Sequence, residues 1–320
     1  MRTPSSKPSE NTQRYWVYSN YIVSISRLIA QAYPADSTLA EEIISSKGFQ
    51  KLSRKGELNR EEIAVLLRHS WFTELLLNET QKSKDLLIYA NPWSMVQSYY
   101  AIYPGLRAYF VALNRPLKKT HQTTLGTICS DLTSYKDRFP QPWRTVLAAD
   151  PAEDSIKLVN GPARLTLNLR NPLASPIHSD PWQFYGLLLR TTRSRQVSTL
   201  ISNWKRINAR KRIYQRDRTQ LIAGLRPTTV FDFLYRLRTR SNYQDIDSFA
   251  FSDVTPSDAV DLQQGICHVV YATLFVFETM IAKVGGKKWF DGLVNEFYDS
   301  TGEPASKTII KRWTVIKKYL

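Results

Sequence analysis

The sequence predicts a mainly α-helical protein, a helical bundle with one non-helical interruption. Three observations predict it. Apolar residues recur at helical spacing along most of the 320 residues, between recognisable caps and stops. Only twelve glycines are present, and low-complexity sequence is confined to the N-terminus. The stretch 140–182 departs from the pattern: it is crowded with proline, and short alternating runs replace the helical period. A hydrophobic content of 42%, with 12% aromatic residues, supplies a core, and the length suits one large domain or two ordinary ones.

Residues 1–14 are polar and lack an apolar h-region, so they are expected to be a disordered arm and not a signal peptide. Residues 15–33 form the first helix. Pro34 stops it, and Asp36 or Ser37 caps the next segment. A second helix over 59–77 has Asn59 as its cap, Glu61 and Glu62 in the first turn, and an apolar face of Ile63, Leu66, Leu67 and Phe72. Asn91-Pro92 opens a third, with proline at its first position and a kink expected at Pro104-Gly105. Within the proline-rich stretch, 155–159 and 164–169 flank Asn160-Gly161-Pro162, and the segment reads as either a short β-hairpin near 155–169 or an irregular loop.

Helices resume at Pro181 and number two or three up to 240, with breaks near Gly224 and Pro227. Residues 232–240 are helical. Ser257 or Asp258 caps an apolar helix that Gly285-Gly286 ends, and a last helix covers about 306–319. No run reaches the roughly 18 apolar residues of a membrane span, so no membrane contact is expected and the cytoplasm is the expected compartment. Cys129 and Cys267 provide neither a disulfide framework nor metal spacing, and read as buried thiols in a reducing compartment.

Charge is distributed unevenly. Residues 190–240 hold fourteen Lys or Arg against Asp217 and Asp232, a net +12 out of +16 for the chain. Such density repels itself unless a polyanion answers it, and nucleic acid is the expected partner. The candidate binding residues are Arg193, Arg195, Lys205, Arg206, Arg210, Lys211, Arg212, Arg216, Arg218, Arg236 and Arg240. Read as one helix, 203–218 brings Arg206 and Arg210 together and lets Trp204, Ile207, Ile213 and Tyr214 face a core or stack on bases. Arginine outnumbers lysine, which suits bidentate phosphate contacts over a merely solvated face, and guanidiniums interleaved with aromatics are common to RNA-binding helices, so RNA is the favoured polyanion. Residues 241–303 hold ten acids against three lysines, so an acidic layer of the same chain is an alternative counterpart.

Two separated pieces carry a resemblance. The first is Gln97-Ser98-Tyr99-Tyr100-Ala101-Ile102-Tyr103, then Leu106-Arg107-Ala108 and Lys119-Thr120-His121. The second is Leu234-Tyr235-Arg236-Leu237-Arg238-Thr239-Arg240-Ser241-Asn242-Tyr243, followed by a long apolar helix. Together they resemble the HEPN superfamily of small helical-bundle domains, over about 92–130 and 230–284. The resemblance implies a division into an N-terminal helical region, 15–90, and a HEPN-like bundle, 91–320, with a large basic insertion over about 131–229. It also implies a homodimer or a subunit of a larger complex, and no cofactor.

Many HEPN proteins are metal-independent ribonucleases with an Arg-x(4–6)-His motif, in which arginine stabilises phosphorane charge and histidine moves the 2′-hydroxyl proton. Here Arg238 falls at the arginine position and Tyr243 at the histidine position. A phenol with a pKa near 10 is a poor base at neutral pH. The departure points to the non-catalytic branch, which binds nucleotides, RNA or a partner nucleotidyltransferase. A literal Arg-x(5)-His match, Arg115 and His121, is the other catalytic candidate, although Pro116 puts it on a loop. His69 reads as a helix-face residue, His178 lies in the proline-rich stretch, and His268 sits in the apolar helix. Asp245 and Asp247 offer carboxylates to a divalent ion, but read better as capping or turn residues. No pair has metal spacing, and neither a P-loop nor a dinucleotide fingerprint occurs.

The expected function is therefore RNA binding by a non-catalytic HEPN-like subunit of a prokaryotic nucleoprotein, antiviral defence or toxin-antitoxin complex. A HEPN endoribonuclease and a subunit that meets an acidic protein partner are the alternatives.

Overall fold

A computed structural model describes residues 9–53, 56–135, 137–153, 155–162, 165–166, 180–243, 253–302 and 307–320, with the backbone alone at Thr166, Asn242 and Tyr243. Among these residues, twelve α-helices and two small antiparallel strand pairs make up the regular structure. The chain is mainly α, as its apolar period predicts.

Helix α1 (Glu10–Ala32) begins five residues before the expected start, because the Ser9 hydroxyl accepts the Thr12 amide at 3.2 Å and caps it. Residues 10–14 are thus helical, and 1–8 lie outside the described residues. Short helices α2 (Asp36–Ser45) and α3 (Lys47–Gln50) follow. Helix α4 (Arg60–Lys82) is capped as expected, Asn59 Oδ1 accepting from the Glu62 amide at 3.1 Å. Its buried face runs through Ile63, Leu66, Leu67, Trp71, Glu74 and Leu77, a three-and-four spacing that leaves Phe72 outside, 49% exposed.

Helix α5 (Leu87–Ala112) corrects the expected start at Asn91-Pro92. It opens at Leu87 after a 3-10 turn, and it carries both Pro92 and Pro104 inside. Asn91 is buried and donates to the Ala259 carbonyl at 3.3 Å, so it ties two helices together and caps neither. Helix α6 (His121–Ser134) follows, with Thr120 as N-cap. Strand β1 (Val146–Leu147) pairs with β3 (Leu158–Val159), and β2 (Ser155–Ile156) pairs with β4 (Leu165–Thr166) in the register Ser155↔Thr166. Of the two readings of this segment, antiparallel pairing is the one realised.

The second half contains α7 (Pro181–Ile207), α8 (Gln215–Ala223), α9 (Val230–Tyr243), α10 (Pro256–Gly285), α11 (Lys287–Thr301) and α12 (Lys307–Tyr319). Thr255 and Asp258 form a reciprocal capping box at the start of α10. α10 is 30 residues long, and with a mean hydropathy of 1.6 in its most apolar window it is long and apolar enough to cross a membrane, contrary to the expectation from residue runs; 83% of that window is buried inside the fold.

Helices α5 and α10 organise the rest. They pack on each other, α4 lies against both, and α1, α7 and α9 close a ring from α10 back to α5. The close approach needs Gly105, where a Cβ would stand 2.7 Å from Leu274 Cδ2. α2, α11 and α12 cover one end. A single hydrophobic cluster runs from Tyr15 to Ile316 and includes residues from both sides of the boundary at 90, which itself falls inside α5.

Candidate functional site

Three elements converge where α5 faces α9. Tyr99, Tyr103 and Arg107 recur every four residues on α5, and Tyr235 and Arg238 are three apart on α9, so each set lies on one helix face. Between them stands His121, the first residue of α6, placed there because Thr120 accepts the Thr123 amide at 3.2 Å and starts the helix. The Tyr99 hydroxyl lies 2.7 Å from His121 Nδ1. The imidazole packs on Tyr103 at 4.4 Å and on Tyr235 at 5.5 Å between ring centres. Arg238 donates to the Tyr100 hydroxyl at 2.6 Å and lies over that ring.

Burial, then the charges of Arg238 and Arg107, hold the His121 pKa below the ordinary histidine value, so the ring is neutral at neutral pH. Burial pushes the Tyr99 phenol well above its usual range, so it keeps its proton. The Tyr99–His121 contact then has two forms. Either Tyr99 donates to Nδ1 and Nε2 carries the proton, or Nδ1–H donates and Nε2 is left as an acceptor. A neutral imidazole beside guanidinium groups is equipped to move a proton and to stabilise negative charge.

Of the four catalytic candidates, His121 and Arg238 enter this cluster. Arg115 does not: it pairs with buried Asp131, which also accepts from the Tyr109 hydroxyl at 3.1 Å. Tyr243 ends α9, and its side chain lies outside the described residues, as do His178, Asp245 and Asp247. His69 is exposed on α4. His268 Nδ1 lies 2.8 Å from Ser26 Oγ, a contact between α10 and α1.

The basic candidates separate into buried and exposed groups. Arg193 is fully buried, donating to the carbonyls of Ala148 at 2.5 Å, Ala149 at 2.6 Å and Arg226 at 3.0 Å. It holds α7 to the segments before and after it and is closed to a ligand. Arg218 grips Asp150 with two nitrogens, and Arg226 grips Asp232 in the same way. Arg236 donates to Thr191 at 2.9 Å and Thr192 at 3.3 Å. Lys205 is half-buried, while Arg195, Arg206, Arg210, Lys211, Arg212 and Arg216 are exposed.

The reading of 203–218 as one helix is corrected. α7 ends at Ile207, with Arg210 N donating to Lys205 O and Ala209 N to Arg206 O, and Ala209 takes φ 51°. Residues 208–214 form a turn before α8, so Arg206 and Arg210 are neighbours through a chain reversal. Arg210 folds back over the Trp204 ring at 5.8 Å, and Tyr214 is 70% exposed.

Beside the histidine cluster, α7 and α9 enclose a cleft of about 450 Å³ whose rim includes Arg195, Arg236, Arg240, Gln122 and Tyr235. In the sequence Tyr99, Tyr103, Arg107 and Tyr235 stand out only as parts of a motif, and nothing marks Gln122. The four-residue spacing of Tyr99, Tyr103 and Arg107 was the available signal. Both cysteines are free, and burial raises both thiols, Cys267 to about 12, which keeps them protonated and unreactive. Comparison with protein-family models, curated proteins and solved structures finds no match for the chain.

Proposed function

We propose that this protein binds nucleic acid, RNA in preference to DNA, without cutting it, as a HEPN-like cytoplasmic subunit of a prokaryotic nucleoprotein, defence or toxin-antitoxin complex. The observation that carries the reading is the cationic turn between α7 and α8. Arg210, Lys211 and Arg212 stand exposed in it, with exposed Arg206 and Arg216 on the adjoining helix ends, and the described ion pairs of the segment, Arg218–Asp150 and Arg226–Asp232, involve none of the five. Five crowded cations repel one another in the absence of a counter-charge, and a phosphate backbone supplies it along a line. Trp204 and exposed Tyr214 add faces on which unpaired bases stack. The HEPN resemblance is supported by the meeting of its separated pieces: α5 packs on α9 and α10, and His121 touches Tyr99 and Tyr235.

The test is fluorescence anisotropy of a labelled RNA strand, with the DNA of the same sequence in parallel. Five phosphate contacts on a single strand predict a loss of about 10² in affinity between 50 and 200 mM salt. Replacing Arg210, Lys211 and Arg212 by glutamine weakens binding and flattens the salt slope. Absent or salt-insensitive binding rejects the reading.

A second reading, metal-independent RNA cleavage, is favoured by one observation: a neutral His121 held by Tyr99, with its pKa lowered in part by the nearby Arg238. Incubation with RNA in EDTA decides it. Cleavage lost in both His121→Asn and Arg238→Ala establishes the activity, and intact RNA excludes it.

A further inference from the structure

Helix α5 turns most of its surface inward, yet three of its aromatic rings face water. Tyr89 is 71% exposed, Trp93 56% and Tyr100 37%, whereas Met95, Tyr99, Ile102 and Leu106 of the same helix are buried. The three rings are not scattered. On a helix of 3.6 residues per turn, positions 89, 93, 97, 100 and 107 fall within an arc of about 80°, so Tyr89, Trp93, Gln97, Tyr100 and Arg107 share one face. That face is about 27 Å long, with about 6 Å from Tyr89 to Trp93 and about 10 Å from Trp93 to Tyr100 along the axis. Exposed Leu86, just before α5, adjoins Tyr89. Single exposed apolar residues are ordinary on a protein surface, but a line of aromatic ones marks a contact surface.

The charge on this face lies at one end. The 26 residues of α5 include no Asp or Glu, and Arg107 is their one cation. Arg238 comes across from α9 and lies over the Tyr100 ring at 5.3 Å, and Arg107 lies over the Tyr103 ring at 5.9 Å. Two guanidiniums thus rest on two tyrosines of α5, about one turn apart. His121 stands beside them, packed on Tyr103 at 4.4 Å. The positive charge of both arginines reaches the imidazole, whose pKa they lower after burial has done so. The face therefore begins in open rings and ends in rings covered by cations.

That order fits an unpaired strand of nucleic acid. Bases stack on exposed aromatic rings whatever their sequence, and arginine both stacks and holds phosphate. The steps between the rings suit a strand drawn out so that separate bases reach separate rings. A duplex stacks its bases about 3.4 Å apart and covers their faces, so it has none to offer. Phosphates of a strand lying along the rings meet Arg238 and Arg107 at the end where α9 crosses, and charge and aromatic surface are then answered by one ligand.

We infer that the outer face of α5 is a stacking track for single-stranded RNA, with bases on Tyr89, Trp93 and Tyr100 and the backbone on Arg238 and Arg107, which brings the strand to His121. The inference rests on the nucleic-acid reading above and names the substrate class of that reading, but it uses residues other than those of the turn between α7 and α8.

The test uses three labelled 12-nucleotide RNAs: a plain strand, an abasic strand that keeps the sugar–phosphate chain, and the plain strand annealed to its complement. They are titrated onto wild type, Tyr89→Ala, Trp93→Ala, Trp93→Phe and the triple glutamine variant of the turn, each checked for folding by circular dichroism. Wild type is expected to bind the plain strand at least about tenfold more tightly than the abasic strand, in line with the contribution of one stacked base. Tyr89→Ala and Trp93→Ala each weaken the plain strand by about tenfold and leave the salt slope, the abasic strand and the duplex unchanged. Trp93→Phe, which keeps a ring, retains most of the affinity. The turn variant weakens all three RNAs. Equal affinity of wild type for the plain and abasic strands, or plain-strand binding undiminished in both alanine variants, overturns the inference while the nucleic-acid reading stands. A dimer of the free protein that Trp93→Ala dissociates with RNA affinity unchanged, seen by sedimentation, gives the face to a second copy and overturns it too. Failure of all three RNAs to bind wild type overturns both the inference and the reading on which it rests.

Discussion

The cations of 190–240 differ in what their side chains touch, and Arg193 and Arg206 mark the extremes. Arg193 is sealed inside, with its donors on three backbone carbonyls. Arg193→Met keeps the apolar stem but orphans those carbonyls, and a loss of about 3 kcal/mol is expected. Arg206→Met, at an exposed site, is expected to change stability by less than about 0.5 kcal/mol. Urea unfolding midpoints check both. The histidines set a pH dependence. Burial lowers the pKa of His268 and is the largest cause of the lowering at His121, so both folded values lie below the unfolded value of about 6.5. Between the two values the unfolded chain binds more protons. The contribution is therefore fully present above about pH 6.5 and is lost as pH falls through the window beneath it. The urea midpoint is expected to be lower at pH 5.5 than at pH 7.5, and His268→Gln is expected to reduce the difference.

At the level of elements, the end of α7 decides how the basic turn is presented. The bonds from Arg210 N to Lys205 O and from Ala209 N to Arg206 O close the helix in a Schellman motif, with a left-handed residue that is alanine where glycine is usual. Ala209→Gly relieves the Cβ clash and is expected to stabilise the protein by about 0.5–1 kcal/mol, seen as a rise in melting temperature. α12 is held by a different device. Arg312 is fully buried and divides its nitrogens between Glu74 of α4 and Glu278 of α10, at 2.6 to 2.9 Å. Trp71 Nε1 also donates to Glu278 at 2.7 Å. Burial pushes the Glu278 carboxyl up, and Arg312 opposes that shift. Arg312→Met leaves two buried carboxylates without their cation, and a loss of about 3–5 kcal/mol is expected in denaturant titration.

For the whole molecule, one hydrophobic cluster from α1 to α12 predicts one cooperative unit. Tryptophan fluorescence and far-ultraviolet circular dichroism are expected to report the same urea midpoint, and two separated transitions would support a boundary near residue 90. The parts of this architecture that were legible in the sequence are local. Asn59 as a cap, Pro181 as a helix start, Gly285-Gly286 as a stop and the helix over 232–240 depend on residues within a few positions of one another, where capping geometry and apolar period act. The places that misled were local signals overruled by packing: Asn91-Pro92 resembles a helix start, yet Asn91 is buried against α10 and the helix begins four residues earlier. Phe72 reads as core, yet Trp71 occupies that face. The net charge of the basic segment, and hence the class of partner it suits, is a property of composition and needs no fold. Which cations face solvent does need one, because Arg193 and Arg206 are indistinguishable until the carbonyls of 148–149 and 226 close around the first. The candidate site is further still from sequence. The contact between Arg238 and Tyr100 joins residues 138 positions apart, and the contact between His121 and Tyr99 depends on a turn that brings the start of α6 back onto α5. Spacing paired His121 with Arg115; burial of Asp131 took Arg115 for itself and left His121 to the charges of Arg238 and Arg107.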